Sequence, residues 1–193
     1  MRNNNHLYLF ALSVILLYVF TTSCNSDHKI REGIENMQSS RIQLFQDSML
    51  CINEDETINA KEQQLLKLVL FVDSSECSSC NIKKLWEWPP YLKSFDGLDA
   101  FKFLVVLEVK SRDLEYSKEQ LKITGIRTPV FFDTLFVFRR HNPQIPDNRM
   151  FHTFLLDESD SVLLVGNPLI NERIDKLLKG IVNERLMKYQ SVE

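Results

Sequence analysis

The sequence lacks a strong excess of charge of either sign. Its 193 residues carry a formal net charge of −3 at pH 7, and no basic stripe with interleaved aromatic residues occurs. Proteins that bind nucleic acid need such a surface, because contacts to the phosphate backbone dominate their affinity. We therefore expect no nucleic-acid partner.

Internal repeats and low-complexity tracts are also missing. Apolar residues make up 44% of the chain and charged residues 25%, which is ordinary for a globular protein. The length suits one domain with a sizeable core.

The N-terminal apolar run, Leu7 to Phe20, is shorter than the roughly 20 residues of a transmembrane helix. Arg2 precedes this run and small polar residues follow it, which is the layout of a signal peptide. The Thr-Thr-Ser before Cys24 resembles the lipobox of bacterial lipoproteins, in which the cysteine becomes the lipidated first residue after cleavage. An ordinary secretory signal and an uncleaved anchor are the alternatives. In each case the mature protein leaves the cytoplasm for a compartment where disulfides can persist.

We accordingly predict a lipoprotein signal peptide over residues 1–24 and a polar tether over 25–38. Residues 39–193 then form the predicted folded domain. The lipid on Cys24 anchors this domain in the cell envelope, on the periplasmic side, so the membrane is an expected partner.

Cysteine is scarce, with four in the chain. Besides Cys24, the sequence contains Cys77 and Cys80 in a Cys-x-x-Cys pair, and Cys51 is left over. We interpret Cys51 as a small buried apolar residue, with a resolving thiol as the alternative. The Cys-x-x-Cys pair leaves three possibilities: thiol–disulfide exchange, an inert structural disulfide, or half of a metal site.

Metal ligands in a usable spacing are missing. Zinc needs four ligands, and beyond the pair only Cys51 and scattered histidines remain, with no ligand spacing between His141 and His152. The acidic turn from Asp157 to Asp160 lacks the glycine and the spacing of a calcium-binding EF-hand loop. We therefore expect no metal and no other cofactor.

The Cys-x-x-Cys pair follows an almost unbroken apolar run, which predicts a strand over 65–72 that is buried on both faces. Cys77-Ser-Ser-Cys80 then opens a predicted helix over 77–88, which Pro89-Pro90 ends. Cysteines at a helix N-terminus favour the thiolate, because unpaired backbone N–H groups and the positive end of the helix dipole stabilise the anion. The side chains predicted to share the packed face of this helix are those of Ile82, Leu85 and Trp86.

The rest of the chain alternates strands and helices. A capping box beginning at Ser117 and a stop at Gly125 indicate one helix, and another follows Asn171. A third begins within 134–149, where Arg139-Arg140 is interpreted as a solvated pair. Further strands are predicted at 41–45 and 49–52, which form a hairpin before a loop over 53–64, and at 101–109, 129–132, 151–156 and 162–165. The last helix is predicted to pack Ile174, Leu177, Leu178, Ile181 and Val182 on one face.

This element order predicts an α/β fold in which a mixed sheet carries helices on both faces. Three stretches then carry a resemblance: Cys77-Ser-Ser-Cys80 after the first core strand, Pro129-Val-Phe-Phe-Asp133, and Thr153-Phe-Leu-Leu-Asp157 with Gly166 downstream. They resemble the thioredoxin-like superfamily, and within it the TlpA-like and peroxiredoxin-type domains of Bacteroidota lipoproteins. The resemblance implies a thioredoxin-like mixed sheet flanked by helices, with a TlpA-type βα insertion.

The resemblance also implies a site. Cys77 is the attacking thiolate and Cys80 resolves the mixed disulfide. The position of the family's cis-proline is occupied by Phe151, so the implied substrate-docking region is Met150 and Phe151. Glu76 stands where family members carry tryptophan, and its carboxylate is expected to raise the pKa of Cys77 and to make the pair comparatively reducing.

The resulting functional prediction is a lipid-anchored extracytoplasmic thiol–disulfide oxidoreductase. Its expected partners are protein thiols or disulfides and an electron donor in the membrane or the periplasm. The alternative is a non-catalytic binding or structural lipoprotein in which Cys77–Cys80 is a structural disulfide. Peroxide reduction is not expected, because Leu70 occupies the proline position of the peroxiredoxin Pro-x-x-x-Thr-x-x-Cys motif. His152 is interpreted as a hydrogen-bonded strand residue, with proton transfer as the alternative.

Overall fold

The computed structural model describes residues 27–53, 66–74, 82–98 and 101–190. The predicted signal peptide with Cys24, most of the loop predicted over 53–64, and Glu76, Cys77 and Cys80 lie outside these ranges. What the sequence indicates for them stays a prediction.

The described strands form one mixed sheet. They are β1 (Leu50–Ile52), β2 (Leu66–Val72), β3 (Phe101–Glu108), β4 (Val130–Asp133), β5 (Thr153–Leu156) and β6 (Val162–Val165). Their order across the sheet is β1-β4-β3-β2-β5-β6. The pairs β2–β3 and β3–β4 are parallel, whereas β1 on β4, β5 on β2 and β6 on β5 are antiparallel.

The helices are short except for the last one. They are α1 (27–38), α2 (Trp88–Leu92), α3 (Leu114–Lys122), α4 (Val137–His141) and α5 (Glu172–Gln190). The mixed sheet flanked by helices is confirmed, and β4 followed by α4 forms the inserted βα unit. Within the described ranges, no helix is both long enough and apolar enough to cross a membrane.

Two apolar clusters cover the two faces of the sheet. Alternation along β2 divides them: Leu68 points to one face and Val69 to the other, because successive strand side chains point in opposite directions. The first face, which we call the α5 face, is covered by the helical segment 82–95, α3 and α5. The second, the α1 face, is covered by α1 and α4, which contribute Met37 and Phe138.

The tether predicted over 25–38 is replaced by a helix in the described part, 27–38. Met37 of α1 is fully buried, and Ile30 and Ile34 pack against the same cluster. Gly33 lies so close to Phe151 that an added Cβ would come within 2.7 Å of its ring. The polar residues of this stretch are therefore the exposed side of an amphipathic helix.

The hairpin predicted from 41–45 and 49–52 is wrong. The second stretch gives β1, which pairs with β4 instead. The first is irregular and lies beside β6: Arg41 bridges to Ser161, the Ile42 N–H donates to Asp160 O at 2.9 Å, and Gln38 Nε2 donates to Leu163 O at 3.3 Å. The chain at the end of α1 and just after it therefore contacts the start of this edge strand.

Helix boundaries differ from the sequence prediction in two places. Pro89-Pro90 does not end the helical segment, because the prolines lie in the first turn of α2, where their missing N–H groups are not needed. Ser117 does not begin α3 but is buried inside it, since the helix starts at Leu114. The capping-box prediction was therefore wrong.

Two side chains predicted to pack are exposed. Trp86 is 61% exposed, and Trp88 takes the buried place beside Ile82 and Leu85, because 3-10 geometry over Leu85–Glu87 shifts the phase of the helix. On α5 the side chains of Leu178 and Val182 are buried, whereas Leu177 is mostly exposed.

Candidate functional site

A groove of about 470 Å³ opens at the carboxyl end of β2. Its walls are the end of β2, the 82–88 part of the helical segment, the turn before β5 and the loop after β6. The residues that line these walls include Phe71, Asp73, Lys84, Leu85, Trp88, Met150, His152, Thr153, Leu169 and Ile170. Aromatic and aliphatic side chains share these walls with charged and polar ones, which also include Glu87, Arg149 and Asn167. A concave surface that combines apolar area with polar groups is suited to binding.

Two walls of the groove are separated in the sequence by the stretch that contains the Cys-x-x-Cys pair. Asp73 ends the first wall and Lys84 belongs to the second. Residues 75–81, which contain Cys77 and Cys80, connect them and lie outside the described residues.

The turn before β5 separates the two residues predicted to dock a substrate. Met150 is 38% exposed and lines the groove. Phe151 is 3% exposed and belongs to the cluster on the α1 face, where it lies against Gly33. The ring of Phe151 therefore packs away from the groove, and the assignment of Met150 and Phe151 as the substrate-docking region stays a prediction.

The backbone of this turn is bonded to itself. The N–H groups of Met150, Phe151 and His152 donate to Asn148 Oδ1 at 3.1 Å, Asn148 O at 3.0 Å and Arg149 O at 3.0 Å. The turn therefore does not offer these three donors for strand-like pairing with an extended peptide.

His152 is a buried, neutral wall residue. Its Nε2 lies 3.0 Å from Pro146 O, and its ring packs on Phe71 at a centroid distance of 5.1 Å. Since a carbonyl can only accept, Nε2 carries the proton. Burial lowers the pKa of His152 below its usual 6.5. The predicted hydrogen-bonded role is thus observed, and the proton-transfer alternative stays a prediction.

Charged side chains gather at the same end of the sheet, next to the groove. Asp73 follows β2 and Glu108 ends β3, and both are buried. Arg139 of α4 reaches both, with Nη2 2.9 Å from Asp73 Oδ2 and Nε 3.5 Å from Glu108 Oε1. The interpretation of Arg139 as part of a solvated pair is therefore wrong.

Asp133 places α4 and thereby Arg139. Its Oδ1 accepts from the N–H groups of Leu135 at 3.2 Å and Val137 at 3.0 Å, and its Oδ2 accepts from the Phe138 N–H at 2.8 Å. A carboxylate at a helix start satisfies N–H groups that have no partner within the helix.

The sequence contains a signal that locates this acidic cluster. Asp73, Glu108 and Asp133 each stand at the carboxyl end of a parallel strand, and such ends meet at one edge of the sheet. Across the described ranges, no group of three or more His, Cys, Asp or Glu side chains could hold a metal ion. The cluster holds a guanidinium instead.

Cys51 lies on β1, at the far edge of the sheet from β2. It is half-buried, and its thiol lies 3.7 Å from Ile52 O. This position fits the predicted packing role only in part, because the side chain is not fully covered.

No protein-family model matches this chain, and no curated protein sequence matches it. Among solved structures, a thioredoxin-like protein in its oxidised form is similar, with a TM-score of 0.52 and 16% identity over 75% of this chain and 95% of that one. A thiol-disulfide oxidoreductase from Bacteroides fragilis has a TM-score of 0.45 and 12% identity, covering 61% of this chain and 86% of its own. A Xanthomonas campestris peroxiredoxin Q has a TM-score of 0.44 and 16% identity, covering 63% and 80%.

The fold assignment rests on the first of these structures together with the strand order. The sequence identity between this chain and each of the three structures is too low to transfer an activity, because function resides in particular residues rather than in a fold. The predicted resemblance is confirmed at this level: the chain has the thioredoxin-like fold.

Proposed function

We propose that this protein is a thiol–disulfide oxidoreductase whose reacting groups are Cys77 and Cys80. The observation that supports this most is the groove at the end of β2. Asp73 belongs to one wall of the groove and Lys84 to the next. The Cys-x-x-Cys stretch lies between them in the sequence, and the groove is lined by both apolar and polar groups. In an exchange enzyme, a partner disulfide has to meet the attacking thiolate at such a surface.

The proposed reaction transfers two electrons from the Cys77/Cys80 dithiol to a partner disulfide. The Cys77 thiolate attacks one sulfur of a partner disulfide, forms a mixed disulfide and releases the other partner sulfur as a thiolate. The Cys80 thiolate then attacks the Cys77 sulfur, which releases the second partner sulfur and leaves a Cys77–Cys80 disulfide. The partner gains two electrons, and a thiol donor of the membrane or the periplasm restores the dithiol.

The groove supports side-chain docking of the partner. Met150 and Ile170 are exposed at its rim, and Trp88 lines its interior. Because the turn's N–H groups at 150–152 are bonded internally, we propose that partners bind mainly through apolar side-chain contacts.

The same turn favours a second candidate. With Phe151 buried and three N–H groups occupied, the surface used for peptide pairing is reduced. A binding or structural lipoprotein with a Cys77–Cys80 structural disulfide needs no such surface.

The reduction potential of the pair decides between the two. We would equilibrate the full chain, carrying Cys51→Ala, in poised thiol buffers and count alkylated cysteines by mass, with Cys77→Ser as the matched control. A midpoint between about −120 and −270 mV lies among exchange catalysts. A pair that stays oxidised below about −300 mV behaves as a structural disulfide and would end the oxidoreductase proposal.

We also propose a cell-envelope location through a lipid on Cys24. Expression of the full chain in a bacterium fed a labelled fatty acid should give a labelled membrane-bound product, whereas Cys24→Ala should abolish the label. Retention of the label in the variant would contradict the anchor.

A further inference from the structure

Helix α1 lies along the sheet with its first residues at the end where the groove opens. Gly33, in the middle of the helix, lies against Phe151 in the turn that forms one wall of the groove. After the helix, Arg41 bridges to Ser161 just before β6. Since β5 is antiparallel to both β2 and β6, the start of β6 lies at the opposite end of the sheet from the groove. Asp27 precedes Gly33 by six residues, which is about 9 Å of helix, so the chain enters α1 at the groove end.

The chain between the proposed lipid and α1 is short. Cys24 is three residues before Asp27, and three residues of extended chain span at most about 11 Å. A tether over 25–38 would reach about 50 Å when extended. Residues 27–38 are helical and packed on the domain instead, so most of that reach is lost. The lipid therefore stays close to the groove end of the domain.

The groove end also exposes large apolar side chains. Met150 and Ile170 line the groove and are exposed. Trp86 stands between two residues of the groove wall, and Leu135 follows the end of β4; both are mostly exposed. Tryptophan and aliphatic side chains are the ones that favour the boundary between lipid headgroups and acyl chains.

The exposed charges of the groove suit an anionic surface. Among the described residues that line it, Lys84 and Arg149 are exposed cations and Glu87 is an exposed carboxylate, whereas Asp73 is buried. A small excess of positive charge adds electrostatic attraction to anionic lipid headgroups.

We infer that the groove end of the domain faces the lipid bilayer, with Trp86, Met150 and Ile170 at the level of the headgroups. The inference rests on the lipid anchor proposed for Cys24 and is independent of the chemistry of the Cys-x-x-Cys pair. It deepens the proposed function, because a partner that enters the groove then has to present itself at the membrane surface.

The test compares two isoleucines at opposite ends of the sheet. Ile170 borders the groove and is 81% exposed, whereas Ile123, which is 77% exposed, follows α3 where this helix has run back from the end of β3. Each is replaced by tryptophan in the full, lipidated chain carrying Trp86→Phe, in which the remaining Trp88 is buried. The chains are anchored in vesicles of phosphatidylethanolamine and phosphatidylglycerol whose brominated acyl chains quench nearby tryptophan fluorescence.

Ile170→Trp should lose at least about twofold more fluorescence than Ile123→Trp, because a side chain at the headgroup boundary lies close to the brominated chains. Trp86 in the unsubstituted chain, measured against Trp86→Phe, should also be quenched, and it serves if Ile170→Trp does not fold. Equal quenching at the two ends, stronger quenching of Ile123→Trp, or none at either would overturn the inference. Emission from Ile170→Trp that changes with protein concentration and not with bromination would assign the surface to a second copy of the chain, which also overturns it.

Failure of the anchor is distinguishable from failure of the orientation. Absence of the fatty-acid label from Cys24 would end the anchor proposal and this inference together. A labelled chain without the expected difference in quenching would end this inference alone. Neither result bears on the exchange reaction, which is tested by the reduction potential of the pair.

Discussion

The two faces of the sheet are packed by different means. On the α5 face, aromatic rings stack between the 82–95 segment and β3: Trp88 on Phe103 at 4.5 Å and Phe95 on Phe101 at 4.4 Å. On the α1 face, α1 approaches Phe151 through Gly33, where no side chain of the helix intervenes.

The packing of the α5 face depends on side-chain volume, whereas that of the α1 face depends on the close approach of α1 at Gly33 and on buried charge. Stacked rings can shift slightly when a neighbouring side chain is substituted, because their packing energy is the sum of many weak contacts. A glycine contact and a buried ion-pair cluster have fewer ways to adjust. We therefore expect substitutions on the α1 face to have the larger effects.

The largest effect is expected at Phe151, and the exposed Trp86 on the opposite face is its matched counterpart. Phe151→Ala removes a buried ring from the α1 face and should lower the free energy of unfolding by about 3–5 kcal/mol. Trp86→Ala, on an exposed position of the opposite face, should change it by less than about 0.5 kcal/mol. Denaturant unfolding monitored by circular dichroism measures both. Comparable losses would mean that Phe151 is not a core residue.

A pair of glycines sharpens the comparison. Gly33→Ala puts a Cβ at 2.7 Å from the Phe151 ring, and overpacking of this kind costs about 1–3 kcal/mol. Gly180→Ala on α5 meets nothing within 4 Å and should stabilise the protein by about 0.5–1 kcal/mol, because alanine is the better helix former. Thermal unfolding of the two variants should therefore shift in opposite directions. A stabilised Gly33→Ala would show that α1 does not sit on Phe151.

The start of α5 tests the more tolerant face. Asn171 Oδ1 accepts from the N–H groups of Arg173 at 3.0 Å and Ile174 at 3.3 Å. Asn171→Ala should cost about 1 kcal/mol, and Asn171→Ser, which keeps a cap, should cost less. Urea titration at constant pH measures the difference, and equal losses would argue against the cap.

The smallest effect concerns His152 and depends on pH. Its folded pKa is lowered by burial, so the folded state binds fewer protons than the unfolded one below pH 6.5. The contribution of His152 to the free energy of unfolding is therefore fully present above pH 6.5. It decreases as the pH falls below 6.5, by no more than about 1.4 kcal/mol per pH unit for one group. His152→Gln should flatten this part of the profile between pH 7.5 and 5.5. An unchanged slope in the variant would assign the effect to other groups.

The sequence predicted most of the sheet and the helices of the α5 face. Continuous apolar runs identified β2 and β3, and the spacing of Leu178 and Val182 identified α5. These signals are local, because each element shows its own periodicity. The inserted β4–α4 unit followed from the resemblance and from the proline before β4.

The α1 face was harder to predict because its contacts are not local. Ile30, Ile34 and Met37 have helical spacing, but the polar residues between them indicated a tether. Trp86 and Trp88 could not be distinguished by periodicity, since a 3-10 turn changes the phase.

The candidate site was predicted only in part for a similar reason. Met150 lines the groove while its docking role stays a prediction, and the buried contacts of Arg139 were missed. The two buried carboxylates that contact Arg139 come from distant positions in the sequence, so no single stretch shows that the charge is enclosed.

The segment that follows α1 has a consequence for self-association. Arg41 and Ile42 pair with Ser161 and Asp160 just before β6, and Gln38 at the end of α1 donates to Leu163 O of β6, so part of the main chain at this edge is occupied. A variant in which this segment is displaced would expose an unpaired strand, and such edges template pairing between chains. We therefore expect this segment to oppose association through the β6 edge, and light scattering after cleavage within residues 38–42 should reveal larger particles than the intact chain forms.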